Sequence, residues 1–534
     1  MDMFSGGDQA KQRVTEPLSL ERTTELRNKF FSDPKNELAQ NVCTRFDPFE
    51  VAISRKRADS SLHVYNIKVE SEGKPVTNQE NSGRCWLFAA LNVMRLPFCK
   101  KYGIEEFEFS QRVGNAPVIP LVLRVSMGDG DRFPSGDPYL FFWDKIERSH
   151  YWLNTIVATA KQGEQLDGRL VNFLLRDPIN DGGQWDMIVN LVNKYGVIPK
   201  KCFPESFSSR KSLHMNALIK TKLREFAKEL RDLVAKNASD ADIQATIDKQ
   251  IAVIYHIVAT CLGTPPEKFT FEYYNKDKVY NSLGSLTPKE FYDNHVRPLF
   301  NVDDKVCLVS DPRESNPFGQ LFTLQCLGNV VGGRQTAYNN QPIETLMHGT
   351  YIGWDDDDES SSSYLHTKFH DSKPSVIWRA AMNGVVKDSI AGGEAVWFGC
   401  EVSKRFERKN GLEDLDAHDY RLVFNTEVQI GLQKADRLLY GDSCMTHAMV
   451  FTAVGTDEKG NPTKFRVENS YSDKEYDKGY LLLTEPWFRE FVFEVVVDKK
   501  YVPEQVLGVF KQEPKMLPAW DPMGTLACPL CSKE

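Results

Sequence analysis

Apolar positions recur at helical spacing in several segments of the first 300 residues and at strand spacing in the last third of the chain. Residues 19 to 32 read as a short amphipathic helix with Ser19 as its N-cap, ending before Asp33-Pro34. Beyond a mixed stretch to Pro75, Cys85 opens an apolar run carrying Leu87, Leu91 and Met94, which Pro97 is expected to stop. Arg112 to Pro138 is punctuated by Gly and Pro without a sustained period and reads as a long loop. Helical patterns resume at Tyr139 and after Asp181-Gly-Gly-Gln-Trp185, where Met187, Leu191 and Val192 share a face. Leu213 to Ile257 predicts a helical hairpin broken near Asn237, and Thr287-Pro-Lys-Glu290 is a capping box. Val450–Val454, Lys464–Glu468, Tyr480–Leu483 and Phe491–Val497 are β-rich runs separated by turn residues.

Helices early and an antiparallel sheet late predict an α+β fold with a cleft between its halves. The expected division is an N-terminal arm (1–75), then a helical half carrying Cys85 (76–210) with a loop insert at 112–138. A helical insertion subdomain (211–300), a β-rich half (301–510) with an acidic insert at 349–378, and a C-terminal arm (511–534) complete it. The run Asp355 to Ser363 can bury nothing.

Composition narrows the class. The 534 residues are 41% hydrophobic and 26% charged, which is the balance of a globular protein, and no apolar stretch has the length of a membrane helix. Without a recognisable leader the chain is expected in the cytoplasm. A net charge of −8 argues against a uniformly nucleic-acid-binding surface. The 11 Cys follow no regular framework and are expected as reduced thiols. Cys528 and Cys531 have redox or half-zinc spacing, but neither a thioredoxin-like βαβ context nor two further ligands stand beside them, so no metal or other cofactor is expected.

The chemistry concentrates in Val76 to Ala90. Gln79 precedes Cys85 by six residues in a turn of Asn, Ser and Gly, and a thiol at a helix start feels the positive end of the dipole, which favours the thiolate. Gln79 can share with the Cys85 N–H the task of holding an oxyanion. A thiol needs a base, and His447 lies just before an apolar strand. Asn469 closes the next strand, where its amide can accept the ring N–H of His447.

With these residues in view, Ser82-Gly-Arg-Cys-Trp86 resembles the papain-like signature, with Ser82 standing where secreted members carry a disulfide cysteine. The resemblance tightens to the bleomycin hydrolase family, the cytosolic branch that also contains bacterial aminopeptidase C. It is carried by Asn78-Gln-Glu-Asn-Ser-Gly-Arg-Cys-Trp86, Tyr139-Leu-Phe-Phe-Trp-Asp-Lys145, Asp181-Gly-Gly-Gln-Trp-Asp186, Tyr338-Asn-Asn-Gln-Pro342, Gly393-Glu-Ala-Val-Trp-Phe-Gly399, Met445-Thr-His-Ala-Met449, Arg466-Val-Glu-Asn-Ser470 and Leu517-Pro-Ala-Trp-Asp-Pro-Met-Gly524. It implies a papain-like cysteine protease fold with a helical insertion and terminal arms, assembled as a homohexamer. It also implies a broad-specificity aminopeptidase acting on peptides and amides through a Cys thioester. Cys85, His447 and Asn469 would be catalytic and Gln79 the oxyanion donor, and the C-terminal carboxylate would hold the free amine of the substrate. Individual substrate-binding residues are not assigned.

Four places depart from the family. Tyr471-Ser472 replaces the usual Trp-Gly, the two inserts interrupt matching sequence, and Cys528 to Glu534 extends the tail in a way expected to hinder entry. The competing expectation is a catalytically impaired scaffold, or a nucleic-acid-binding assembly, of the same fold.

Overall fold

Ser19 caps the first helix, Leu20–Phe31, by accepting from Arg22 N–H at 3.1 Å, and Asp33 caps the next, Pro34–Cys43. The computed structural model describes residues 17–60, 63–110, 138–203, 205–316, 321–324, 350–354, 379–512 and 515–524. Residues 112–137 of the loop insert, residues 355–378 of the acidic insert, the added tail and the Cys528/Cys531 pair lie outside these.

The N-terminal arm is tied to the β-rich half. Strand β1 (Ile67–Lys68) pairs with a later strand, β10 (His447–Thr456), through Ile67↔Val454, and Arg57 meets the buried Asp414 at 2.6 Å.

The helix that Cys85 opens does not stop at Pro97. It runs from Cys85 to Tyr102 with Pro97 inside, and ends at Gly103, whose φ of +62° only glycine adopts readily. An interior proline costs roughly 3 kcal/mol. That cost is outweighed by burial: Leu96 is buried, and Phe98 packs against Phe107 and Phe109 with ring centroids at 4.6 and 5.8 Å. The other helical readings are met by Pro138–Lys161, by Trp185–Tyr195 and by the hairpin Leu213–Ala235 and Asp240–Leu262. Asn237, at φ +54°, makes the hairpin turn, and the capping box at Thr287 and Glu290 is formed. The stretch expected as a helical subdomain also holds a hairpin that periodicity did not reveal, β2 (Phe269–Tyr274) with β3 (Tyr280–Leu286).

The remaining strands are β4 (Lys305–Ser310), β5 (Leu321–Leu324), β6 (Thr350–Trp354), β7 (Val396–Cys400), β8 (Phe406–Glu407), β9 (Leu412–Glu413), β10 (His447–Thr456), β11 (Pro462–Glu468), β12 (Tyr480–Thr484), β13 (Val492–Asp498) and β14 (Lys515–Leu517). They form one sheet in the order β14-β5-β6-β4-β13-β7-β10-β11-β12-β9-β8, with β1 added beside β10. The sheet is mixed rather than antiparallel throughout, because β4–β6, β5–β14 and β9–β12 pair in parallel. Phe491 ends a helix, Glu485–Phe491, instead of starting the last long strand. Thr350–Trp354, at the start of the stretch expected as the acidic insert, is a sheet strand.

Alternation along β7 and β10 feeds two cores. Trp397, Ala448 and Val450 join the helical core that contains Cys85, whereas Phe398, Cys400, Met449 and Phe451 fill a second core closed by Trp487 and Phe488. The described residues thus form an α+β fold with the Cys85 helix against the sheet. Among them no helix is long and apolar enough to cross a membrane, and no group of three His, Cys, Asp or Glu is placed to hold a metal.

Candidate active site

The site joins two stretches far apart in the chain. Gln79 N–H donates to Ser470 O at 2.8 Å and Ser472 N–H to Thr77 O at 3.0 Å, with Asn78 and Tyr471 forming an antiparallel bridge between them. The turn carrying Gln79 is therefore zipped to the segment that follows β11. His447 is the first residue of β10 and Asn469 follows the last of β11, and the register Val450↔Glu468 draws the two together.

His447 Nε2 and Asn469 Oδ1 are 2.8 Å apart, and the same Oδ1 accepts from Ser470 N–H at 2.8 Å. An atom that accepts from a backbone N–H is the amide oxygen, so His447 must donate from Nε2. The neutral ring then carries its lone pair on Nδ1, which has no hydrogen-bond partner among the described residues. Burial, set against the bond from Asn469, pushes the pKa of His447 down to about 4. At neutral pH the imidazole is uncharged and able to take a proton. The ring of Tyr471 lies over it, nearly parallel.

Cys85 is fully buried at the start of its helix, and the preceding Arg84 supplies no side-chain cap to the first-turn N–H groups. The next residue locks the start in place. Trp86 O accepts from Trp397 Nε1–H at 3.1 Å, while Trp86 Nε1–H donates to Asp181 O at 2.7 Å. Trp397 lies on β7, whose Cys400 pairs with His447, so one tryptophan links the helix start to the strand that borders the base. Gly183 lies flat on Trp86; a methyl group there would stand 2.5 Å from the indole. Burial first, then the charges of Glu413 and Glu401 and the neighbouring Cys85, push the Cys400 thiol well up, leaving it inert.

The Gln79 side chain is 1% exposed, and neither its amide oxygen nor its nitrogen has a hydrogen-bond partner among the described residues. An unpaired buried amide is expensive, and such a group is retained where a ligand satisfies it. Beneath Asn469, the neighbouring Glu468 pairs with Arg95 at 2.6 Å with both side chains fully buried, and Arg95 also donates to Pro75 O at 2.8 Å. That pair ties the end of β11 to the Cys85 helix.

The structure joins His447 to Asn469 by a hydrogen bond, ties the Gln79 backbone to Ser470 beside Asn469, and places Cys85 at the helix start beyond the Gln79 turn. Trp397, Gly183 and Arg84 stand within the motifs quoted from the sequence, which assigns them no role. The paired glycines at 182 and 183 were a usable signal, because close backbone approach to a large side chain requires glycine.

These features define a cysteine peptidase of papain-like architecture. The profile of the Peptidase C1-like family matches residues 17–115, 128–352 and 378–524, and the chain belongs to that family. It is 48% identical to the bleomycin hydrolase of Homo sapiens over 96% of this chain and 99% of that protein, and 47% identical to that of Gallus gallus with the same coverage. It is 32% identical to aminopeptidase C of Streptococcus thermophilus over 95% of this chain and 99% of that protein. The crystal structure of PepW from Lactobacillus rhamnosis HN001 superposes with a TM-score of 0.80 at 35% identity, covering 96% of this chain and 99% of that one.

Proposed function

We propose that this protein is a broad-specificity cysteine aminopeptidase that removes N-terminal residues from peptides and hydrolyses amino-acid amides. The 2.8 Å bond from His447 to Asn469 carries the reading, because it leaves Nδ1 as the basic nitrogen. Cys85 Sγ gives its proton to His447 and attacks the scissile carbonyl carbon. The Gln79 amide and the Cys85 N–H stabilise the negative oxygen of the tetrahedral intermediate. Collapse of that intermediate breaks the C–N bond as His447 returns the proton to the departing amine, leaving a thioester. Water, losing its proton to His447, attacks the thioester, and collapse releases the carboxylate and restores the thiol.

Restriction to free amino termini fits a C-terminal arm whose carboxylate holds the substrate amine. The described part of the arm is firmly held: Arg313 binds Asp521 through two bonds of 2.7 and 3.1 Å, Arg169 stacks on Trp520, and Met523 is buried. A homohexamer belongs to the same proposal. The first two helices bury no residue and expose Leu20, Leu26, Phe31 and Leu38, surface that a neighbouring copy would cover. Free thiols at Cys43, Cys99 and Cys202 suit a reducing cytoplasm.

The test is turnover of amino-acid amides beside their N-blocked equivalents, with Cys85→Ser as control. Hydrolysis confined to free-amine substrates and abolished in Cys85→Ser is the expected result. Turnover of blocked and free substrates at equal rates would remove the amine requirement, and turnover by Cys85→Ser would remove the nucleophile.

A further inference from the structure

A buried chain of side chains runs beneath the turn that carries Gln79 and Cys85. Glu205 Oε1 accepts from Arg84 Nη1 at 3.1 Å, Arg84 Nε donates to Ser82 Oγ at 2.8 Å, and Ser82 Oγ donates to Gln79 O at 2.7 Å. Arg84 is fully buried, Ser82 is 2% exposed, and the Glu205 side chain is 5% exposed. The guanidinium carbon lies over two rings, 5.3 Å from the centroid of Phe88 and 5.2 Å from that of Phe141.

The chain does not stand alone. The segment from Glu205 to Lys211 touches the same turn twice more, through Arg210 and Glu80 at 3.9 Å and through a parallel bridge between Asn81 and Lys211. Ser206 and Ser209 close a capping box on that segment, which fixes the position of Glu205. Glu80 adopts φ +50°, a conformation uncommon for a residue with a side chain, directly beside Gln79. A turn with that backbone needs outside support to persist. The segment at 205–211 supplies it.

We propose that Arg84 is a positioning residue for the oxyanion donor: through Ser82 it fixes the Gln79 backbone, and Glu205 anchors it from the facing segment. This rests on the reading of Gln79 as oxyanion donor and Cys85 as nucleophile. A fork-shaped guanidinium is required because one group must bond the carboxylate from Nη1 and the hydroxyl from Nε at once. Lysine preserves the charge and loses the fork.

The experiment compares wild type, Arg84→Lys and Ser82→Ala, each alone and combined with Gln79→Ala. It measures kcat, KM, the rate of Cys85 alkylation by iodoacetamide, and the thermal midpoint. Alkylation consumes the thiolate without forming an oxyanion, so it reports the nucleophile apart from Gln79. Arg84→Lys is expected to lower kcat roughly 30-fold with KM and alkylation within about threefold of wild type. In the Gln79→Ala background the same change is expected to lower kcat less than about twofold, because its effect passes through Gln79. Ser82→Ala, which keeps the Arg84 and Glu205 pair, is expected to follow the same pattern at about a third of the size and serves if Arg84→Lys does not fold.

Unchanged kcat in both single variants would overturn the proposal, as would equal losses of kcat and alkylation or full additivity with Gln79→Ala. Failure of the underlying reading shows separately: Gln79→Ala alone would then turn over like wild type, or Cys85 would resist alkylation in the wild type.

Discussion

The ring of Tyr471 lies over the imidazole of His447 with 5.6 Å between centroids and 18° between planes. Burial is the main cause of the depressed pKa of His447, and Tyr471 belongs to that burial. Removing the ring in Tyr471→Ala admits water to the bond with Asn469 and should raise the pKa of His447 from about 4 toward 6.5, read by NMR titration of its ring protons. The same change should reduce kcat about tenfold through a looser base. A titration unmoved by the substitution would show that the backbone, not the ring, keeps water out.

Ser472, the next residue, has φ +83°, in the region that favours glycine. Ser472→Gly should raise stability by about 0.5–1 kcal/mol, seen as a higher midpoint in urea, with kcat unchanged. A lower midpoint would mean that the Ser472 side chain contributes more than its backbone costs.

Gln79→Ala removes one oxyanion donor and should cut kcat by about two to three orders of magnitude with a small change in KM. Steady-state kinetics on an amino-acid amide check this. Wild-type turnover would remove Gln79 from the chemistry.

Gly183→Ala would push a methyl group into the Trp86 ring. Trp86 is fully buried and bonded at both its ring nitrogen and its backbone carbonyl, so the indole cannot move aside cheaply. A loss of about 1–3 kcal/mol in denaturant unfolding is expected, together with lower kcat, because Trp86 adjoins Cys85.

Glu494 lies buried with Cys307 Sγ 2.6 Å from its carboxylate, and burial pushes its pKa up to about 8. The folded protein therefore keeps a proton that the unfolded chain releases above pH 4.5. The resulting stabilisation is full below that pH and is lost as pH rises toward 8, on the order of a few kcal/mol. Glu494→Gln should flatten this decline when urea unfolding is compared at pH 5, 6.5 and 8. Parallel pH profiles for variant and wild type would show that Glu494 is charged in the fold.

Much of this is legible in the amino-acid sequence alone. The spacing of Gln79 to Cys85 and the strand pattern around His447 and Asn469 follow local rules, and the hydrogen bond between the last two lies where adjacent strands put it. The caps at Ser19 and Thr287 were equally readable, because a cap is a short-range bond. Pro97 misled because local helix propensity was outweighed by the aromatic cluster around Phe98, which draws on Phe271 and Phe291 from distant segments. The β2–β3 hairpin escaped because it alternates weakly around Gly284, and the parallel pairings escaped because no periodicity encodes a strand's neighbour. Ser82 read as a lost cysteine; its bonds to Arg84 and Gln79 became visible only once Glu205 was folded against it.

The zipper between Thr77–Gln79 and Ser470–Ser472 has a bearing on the life of the chain during synthesis. The segment holding the thiol leaves the ribosome early, but its base, the amide that orients that base, and the backbone partners of Gln79 all arrive near the end. On the proposed mechanism, a growing or truncated chain carries Cys85 without His447 to take its proton. The proposed site is therefore assembled only when the late strands close over the early turn.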